Sequence, residues 1–208
     1  MIRETKGSVL AGSEPIIAHQ VNCKGVMGAG VAKQIRQQLL SAAQYGRYQK
    51  QCRKRGAELL GKCELTWCPS GCLVANLYGE NIPTGKGLDT DYVALRKALV
   101  SLKHKAAAIG DIAIPGYLGC GLAGGDWETV YGMLRDVYGE FHRTVTIYYL
   151  PESIVRLWQE FGDVPMDPET ECLEEDWHGF PKGTNREVIW HWFEETFGCS
   201  VAEDLMHR

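Results

Sequence analysis

The chain lacks any long apolar run. No stretch approaches 18 uninterrupted apolar residues, so no segment predicts a membrane-spanning helix. The opening stretch MIRETKGSVLAGSEP lacks the apolar centre of a secretory signal, which predicts a cytoplasmic chain. A basic excess is also missing: 22 Lys and Arg stand against 26 Asp and Glu, a net charge of -4. That disfavours sequence-independent nucleic-acid binding. It leaves room for a small anionic ligand, because oriented backbone N–H groups bind anions without net positive charge. Metal-ligand spacing is absent too. There is no H-x-x-x-H, and Cys63, Cys68 and Cys72 in CELTWCPSGC are separated by four and three residues, not by two. The eight cysteines, with no export signal, read as reduced thiols. No metal and no cofactor is expected.

What is present is glycine, 24 residues of it, concentrated in two places. Strand and helix patterns alternate around them. IRETKGSVL and EPIIAHQVN read as strands; Gly30 to Leu40 and the stretch to Arg55 read as two helices. GKCELTWCP and GCLVANLYG read as strands joined by a Pro69–Gly71 turn. LDTDYVALRKALVSLKHKAAAIG is an amphipathic helix with Asp89 or Thr90 as its cap and Leu95, Leu99 and Leu102 on one face. DIAIPGYLG is a strand, GDWETVYGMLRDVYGEF a helix capped by Asp126, TVTIYYL a strand and PESIVRLWQEFG a short helix. The alternation predicts α/β layers over a mixed, partly parallel sheet.

Both glycine-rich segments follow an apolar strand and open a helix. The first is NCKGVMGAGVAKQI and the second GYLGCGLAGGDWETV. In open α/β sheets ligands sit outside the carboxyl ends of strands, and helix N-termini attract anions. The spacing matches neither G-x-G-x-x-G nor the G-K-[ST] of a P-loop, so dinucleotide and nucleoside-triphosphate readings are weak. Two such loops in one domain suggest a cleft around a ligand with more than one phosphate; tight turns with close helix packing are the alternative.

IIAHQVNCKGVMGAGVAKQI together with IPGYLGCGLAGGDWETV resembles the macro domain, an ADP-ribose-binding module, over about residues 1–150. The resemblance is to the branch that holds ADP-ribose 1″-phosphate phosphatases, ADP-ribosyl-glutamate hydrolases and DNA ADP-ribosyl glycohydrolases. It implies a three-layer α/β/α fold with a mixed central sheet over residues 1–160, followed by a helical tail, 161–208. It implies that Asn22 contacts the distal ribose, that Gly28, Ala29, Gly30 and Val31 lie beside that ribose and the diphosphate, and that Gly119, Cys120, Gly121, Leu122, Ala123 and Gly124 bind the diphosphate. Ser8 stands where the family usually has an Asp for the adenine amino group. Ala123 stands where the glutamate-hydrolysing relatives carry an Asp. Candidate catalytic residues are His19, which matches the histidine of phosphatase-like members and titrates near neutrality, Lys86 in the loop before the long helix, and Asp89, with Asp91 beside it. The other histidines, His178 and His207 among them, read as solvent-exposed.

The tail is acidic and punctuated by Pro and Gly, then becomes helical from TNREVIWHWFEETFG, capped by Thr184 or Asn185, with Val188, Trp192 and Phe193 as its apolar stripe and Phe197 close by. Trp177, Trp190 and Trp192 within it are too apolar to be left in water. They predict a helix folded back on the domain, a partner-docking surface, or a cover over the cleft with an aromatic on adenine. The functional expectation is a protein that binds ADP-ribose and hydrolyses a derivative of it, as a 1″-phosphate phosphatase or a mono-ADP-ribosyl hydrolase. The alternative is a non-catalytic reader of ADP-ribose. The expected partner is ADP-ribose or an ADP-ribosylated protein, ahead of nucleic acid, and no membrane.

Overall fold

The computed structural model of the chain describes residues 1–198. Among these, six strands form one sheet: β1 (Ile2–Lys6), β2 (Ile16–Asn22), β3 (Cys63–Trp67), β4 (Leu73–Glu80), β5 (Ile112–Pro115) and β6 (Val145–Tyr149), in the order β1-β6-β5-β2-β4-β3. All neighbours are parallel except β3, which pairs antiparallel with β4 through the turn at residues 68–72. Every residue of β4 is buried, as a strand covered on both faces requires, and this is why LVANLYGE reads as a nearly continuous apolar run.

Six helices cover the sheet: α1 (Gly30–Gln38), α2 (Ala42–Arg55), α3 (Tyr92–Ala106), α4 (Trp127–Tyr138), α5 (Pro151–Asp163) and α6 (Arg186–Phe197). Ile17, Val74 and Ala113 face α1 through Ile35, while Val21 and Tyr78 face α2 through Tyr48 and Cys52. On the other face Ile16, Ala18, Ala75, Ile112 and Ile147 pack against Leu95, Leu99 and Leu102 of α3 and Val130 and Leu134 of α4. The result is the expected three-layer α/β/α fold. No described helix is long and apolar enough to cross a membrane.

Two local expectations shift. The first strand stops at Lys6, and Ser8 caps a short 3₁₀ turn, Val9–Ala11, by accepting the Leu10 N–H. The cap of α3 is Asp91, which accepts the Ala94 N–H at 2.9 Å, so neither Asp89 nor Thr90 fills that role. Asp126 and Asn185 cap α4 and α6.

The tail packs into the domain core. Phe161, Leu173, Trp177, Ile189, Phe193 and Phe197 share one apolar cluster with Tyr149 and Trp127. The stripe of α6 is Ile189, Phe193 and Phe197, and Val188 points outward at 52% exposure, because the helix is rotated by one residue from the phase chosen from its aromatics. Trp190 and Trp192 lie against Trp158 of α5 and against Phe193 and Phe197.

The expectation of exposed histidines fails at His178. It occupies a tight turn, Trp177 to Phe180, in which His178 and Gly179 both take positive φ (45° and 83°). Its ring is fully buried between two carboxylates, Nε2 at 3.0 Å from Glu4 and Nδ1 at 3.2 Å from Glu128, with Tyr131 stacked at 3.9 Å. Burial alone drives the ring toward its neutral form, but the Glu4 carboxylate, with Glu128, outweighs it and raises His178 to about 9. His104, His142 and His191 are exposed, and His207 lies outside the described residues.

Candidate functional site

β2 and β5 are neighbours in the sheet, yet their chains leave in opposite directions. β2 continues to α1 on one face; β5 continues to α4 on the other. A crevice opens where the connections diverge, at the carboxyl ends of the strands. It holds a cavity of about 460 Å³, bounded by residues 19–22 of β2, the loop to α1, the segment after β5 and the end of β4.

The first loop is built by Asn22. Its Oδ1 accepts the N–H groups of Lys24 and Val26, and its Nδ2 donates to the Val26 carbonyl at 2.8 Å. Tyr48 of α2 holds the same turn through the Asn22 carbonyl, and Tyr45 donates to the Gly25 carbonyl. The loop then delivers α1 to the cavity without a side-chain cap: Ala29 makes no capping hydrogen bond. The first amides of α1, Gly30, Val31 and Ala32, have no intrahelical acceptor by helix geometry, and all three line the cavity. Gly30 has φ 54° with open space where a Cβ would stand.

The second loop is clamped from three sides. Ala123 O accepts the N–H groups of Asp89 and Thr90. Thr90 Oγ1 donates to Gly119 O at 2.7 Å and accepts from Gln20 Nε2. Arg156 of α5 donates to Cys120 O and lies 4.3 Å from the centre of the Tyr117 ring, whose hydroxyl bonds Glu160 at 2.7 Å. Glycine is required where the clamps close: a Cβ on Gly124 (φ 65°) would stand 2.2 Å from Gly87 O, and one on Gly119 (φ 74°) 2.5 Å from Gln20 Oε1. The amides of Gly121, Leu122 and Ala123 donate to no acceptor among the described residues, and these three residues line the cavity.

Of the residues expected at the site, Asn22, Gly28, Ala29, Gly30, Val31, Gly119, Gly121, Leu122 and Ala123 line the cavity, as does His19. Cys120 and Gly124 lie behind it, shaping the loop. Ser8 sits at the same sheet edge but outside the lining. Lys86 and Asp89 belong to the loop that packs on the second glycine loop and do not line the cavity. Asp89 accepts from the Thr84 hydroxyl and the Gly85 N–H, contacts that hold its carboxyl below the usual range. Among the described residues the Trp-rich tail supplies no lining residue; it packs on α5, whose Arg156 holds the second loop. Its described residues, up to 198, therefore do not cover the cleft.

His19 is 2% exposed and donates from Nε2 to Asn76 Oδ1 at 2.9 Å, since that oxygen can only accept. Its Nδ1 is buried without a partner among the described residues. Burial drops its pKa to about 4, so the ring is neutral. Glu80 was not singled out from the sequence. It lines the cavity at the end of β4, and burial, aided by the nearby Asp89 charge, pushes it up to about 7. Among the described residues no three His, Cys, Asp or Glu side chains gather in a way that would hold a metal ion.

The strand order, the diverging β2 and β5 connections and the two glycine loops agree with the macro-domain resemblance of the sequence. No family model matches the chain. A DNA ADP-ribosyl glycohydrolase of Mycobacterium tuberculosis is 28% identical over 162 residues, 74% of this chain and 43% of that protein, and its Mycobacterium bovis counterpart gives the same figures. The chain thus spans less than half the length of these curated relatives. The solved macrodomain of M. tuberculosis DarG superposes with a TM-score of 0.62 at 24% identity, covering 72% of this chain and 97% of that one. Thermosipho africanus DarTG, solved in complex with ADP-ribose, gives 0.61 at 22%, covering 71% of this chain and 41% of that one. The chain shares the macrodomain fold of these proteins.

Proposed function

We propose that the cleft binds ADP-ribose and that the protein hydrolyses an ADP-ribose derivative at the bond to its distal ribose. One observation carries the reading: the uncapped N-terminus of α1 and the amides of residues 121–123 converge on one cavity at the divergence of β2 and β5. Such paired donors suit a diphosphate. In this reading the 28–31 segment lies against the distal ribose and diphosphate, residues 119–124 carry the diphosphate, and Asn22 sets the first loop and contacts the ribose. The names of the relatives, a DNA ADP-ribosyl glycohydrolase and an ADP-ribose complex, support the ligand and the reaction class.

The group on the distal ribose is a phosphate, an acyl linkage to protein or a nucleobase. The acidic net charge favours a protein or small-molecule substrate in a cytoplasmic setting over DNA. A time course of free ADP-ribose from ADP-ribose 1″-phosphate, Glu/Asp-ADP-ribosylated protein and ADP-ribosylated DNA tests this. Release from at least one is expected. Binding of ADP-ribose without release from any points to the second reading, a non-catalytic reader, which Ala123 in the second loop and the buried, engaged His19 favour.

A further inference from the structure

The end of β4 carries a side chain that the fold places at the cleft and leaves without a protein partner. The register of β2 and β4 runs evenly from Ile16↔Leu73 to Val21↔Tyr78 and then skips, so that Asn22 pairs with Glu80 and Gly79 is the extra residue. Such a bulge re-aims the side chain that follows it. Only glycine fits there: a Cβ on Gly79 would lie 2.7 Å from Gln20 Oε1 and 3.2 Å from Leu95 Cβ. The backbone of Glu80 is then fixed from both sides, its carbonyl accepting the Cys23 N–H at 2.9 Å and its strand edge bridging to Thr90.

Glu80 is 9% exposed as a residue and lines the cavity, and its carboxyl has no hydrogen bond or ion pair among the described residues. By contrast, the buried Glu14 is bonded by the Tyr148 hydroxyl at 2.9 Å and faces Arg3 at 3.7 Å, and Glu4 is bonded by Tyr131 and His178. Desolvation of a carboxyl that has no protein partner favours its protonated form or contact with a ligand. Two titratable neighbours face it. Asp89, across the loop, is kept anionic by Thr84 and Gly85. Cys23, from the first loop, is pushed by burial up to about 11 and stays a neutral thiol. The two carboxyls are thus driven apart, one ionised and one holding a proton near neutrality, the arrangement that separates an acid from a base. His19, neutral and engaged with Asn76, is less suited to donate a proton.

We infer that Glu80 is the acid–base group of the cleft, acting at the bond between the distal ribose and its substituent. The inference rests on the hydrolase reading above. As the bond from the ribose C1″ to the leaving atom breaks, the Glu80 carboxyl gives its proton to that atom. A water oxygen bonds to C1″, and one water proton passes to the Glu80 carboxylate, restoring it; the products are ADP-ribose and the protonated leaving group. Protonation of the departing atom matters most for a leaving nitrogen or alkoxide oxygen; with a phosphate or carboxylate, which departs without a proton, the same carboxyl acts by taking the proton of the attacking water.

The test is Glu80→Gln, which keeps shape and removes the proton. On whichever substrate the wild type turns over, the rate should fall about 10²-fold or more with ADP-ribose affinity within threefold. The limb of the pH–rate profile near 7 should disappear with it. In parallel, NMR of ¹³C-labelled glutamate should show one carboxyl titrating near neutrality that is missing in the variant. An active wild type with an equally active Glu80→Gln variant overturns the inference and leaves the hydrolase reading standing. A wild type that binds ADP-ribose and releases it from no substrate overturns both. A spectrum in which every glutamate titrates below pH 5.5 removes the proton the mechanism needs and overturns the inference by itself.

Discussion

Replacing His178 by Ala tests how the tail is fastened. The imidazolium bridges Glu4 of β1 and Glu128 of α4, and the Tyr131 hydroxyl donates to Glu4 at 2.7 Å. A pKa moved from 6.5 to about 9 corresponds to about 3 kcal/mol in favour of the charged ring, at 1.36 kcal/mol per pH unit. Removing the ring also strands the Glu4 carboxylate in a buried site, and breaking such a pair costs about 3–5 kcal/mol. The sign follows from linkage. The folded value lies above the unfolded one, so the contribution is complete below about pH 6.5 and is lost as pH rises through about 9. Urea unfolding followed by Trp fluorescence reads this directly, because Trp177 and Trp192 sit 5.3 and 5.1 Å from the imidazole. His178→Ala should be about 3–5 kcal/mol less stable at pH 6, and the gap to wild type should narrow by about 3 kcal/mol by pH 9.5. A gap that stays constant across that range refutes a charged, doubly paired His178.

Other expectations follow from the clamps around the loops. Gly124→Ala, forced against Gly87 O at a positive φ, should weaken ADP-ribose binding at least tenfold by calorimetry while the unfolding transition remains cooperative; unchanged affinity would show that the loop conformation is irrelevant to the ligand. Arg156→Ala removes the Cys120 carbonyl contact and the stacking on Tyr117; it should cost about 1 kcal/mol of stability and lower affinity several-fold, linking α5 to the cleft. Asp91→Ala deletes the α3 cap and should cost about 1 kcal/mol in urea unfolding with little effect on binding.

Local signals carried most of the fold. Asp126 and Asn185 are legible as caps because a cap is a relation within four residues. The glycine loops are legible because each follows an apolar strand that must end at a sheet edge. What escaped depends on distant partners. His178 looks like a polar residue in an acidic loop, and its burial is decided by Glu4, 174 residues away, and Glu128, 50 away. Glu80 looks like the polar end of LYGE; its desolvation comes from the β2 register and the Thr90 bridge, which the strand itself does not encode. The choice of Val188 over Ile189 for the α6 stripe failed because a helix rich in aromatics offers two phases, and packing on α5 selects one. The cover over adenine was a surface argument from three tryptophans, and the core of α5 and α6 uses them instead.

The proposed ADP-ribose site is built from both glycine loops. Isothermal titration of ADP-ribose into the wild-type chain and into Gly30→Val addresses it most directly, because a side chain at Gly30 is strained at φ 54° and stands over the free N-terminus of α1. Saturable one-to-one binding to the wild type and at least tenfold weaker binding to the variant are expected. A folded wild type that gives no binding heat at several temperatures and no competition with a fluorescent ADP-ribose analogue, or a variant that binds equally well, contradicts the proposal.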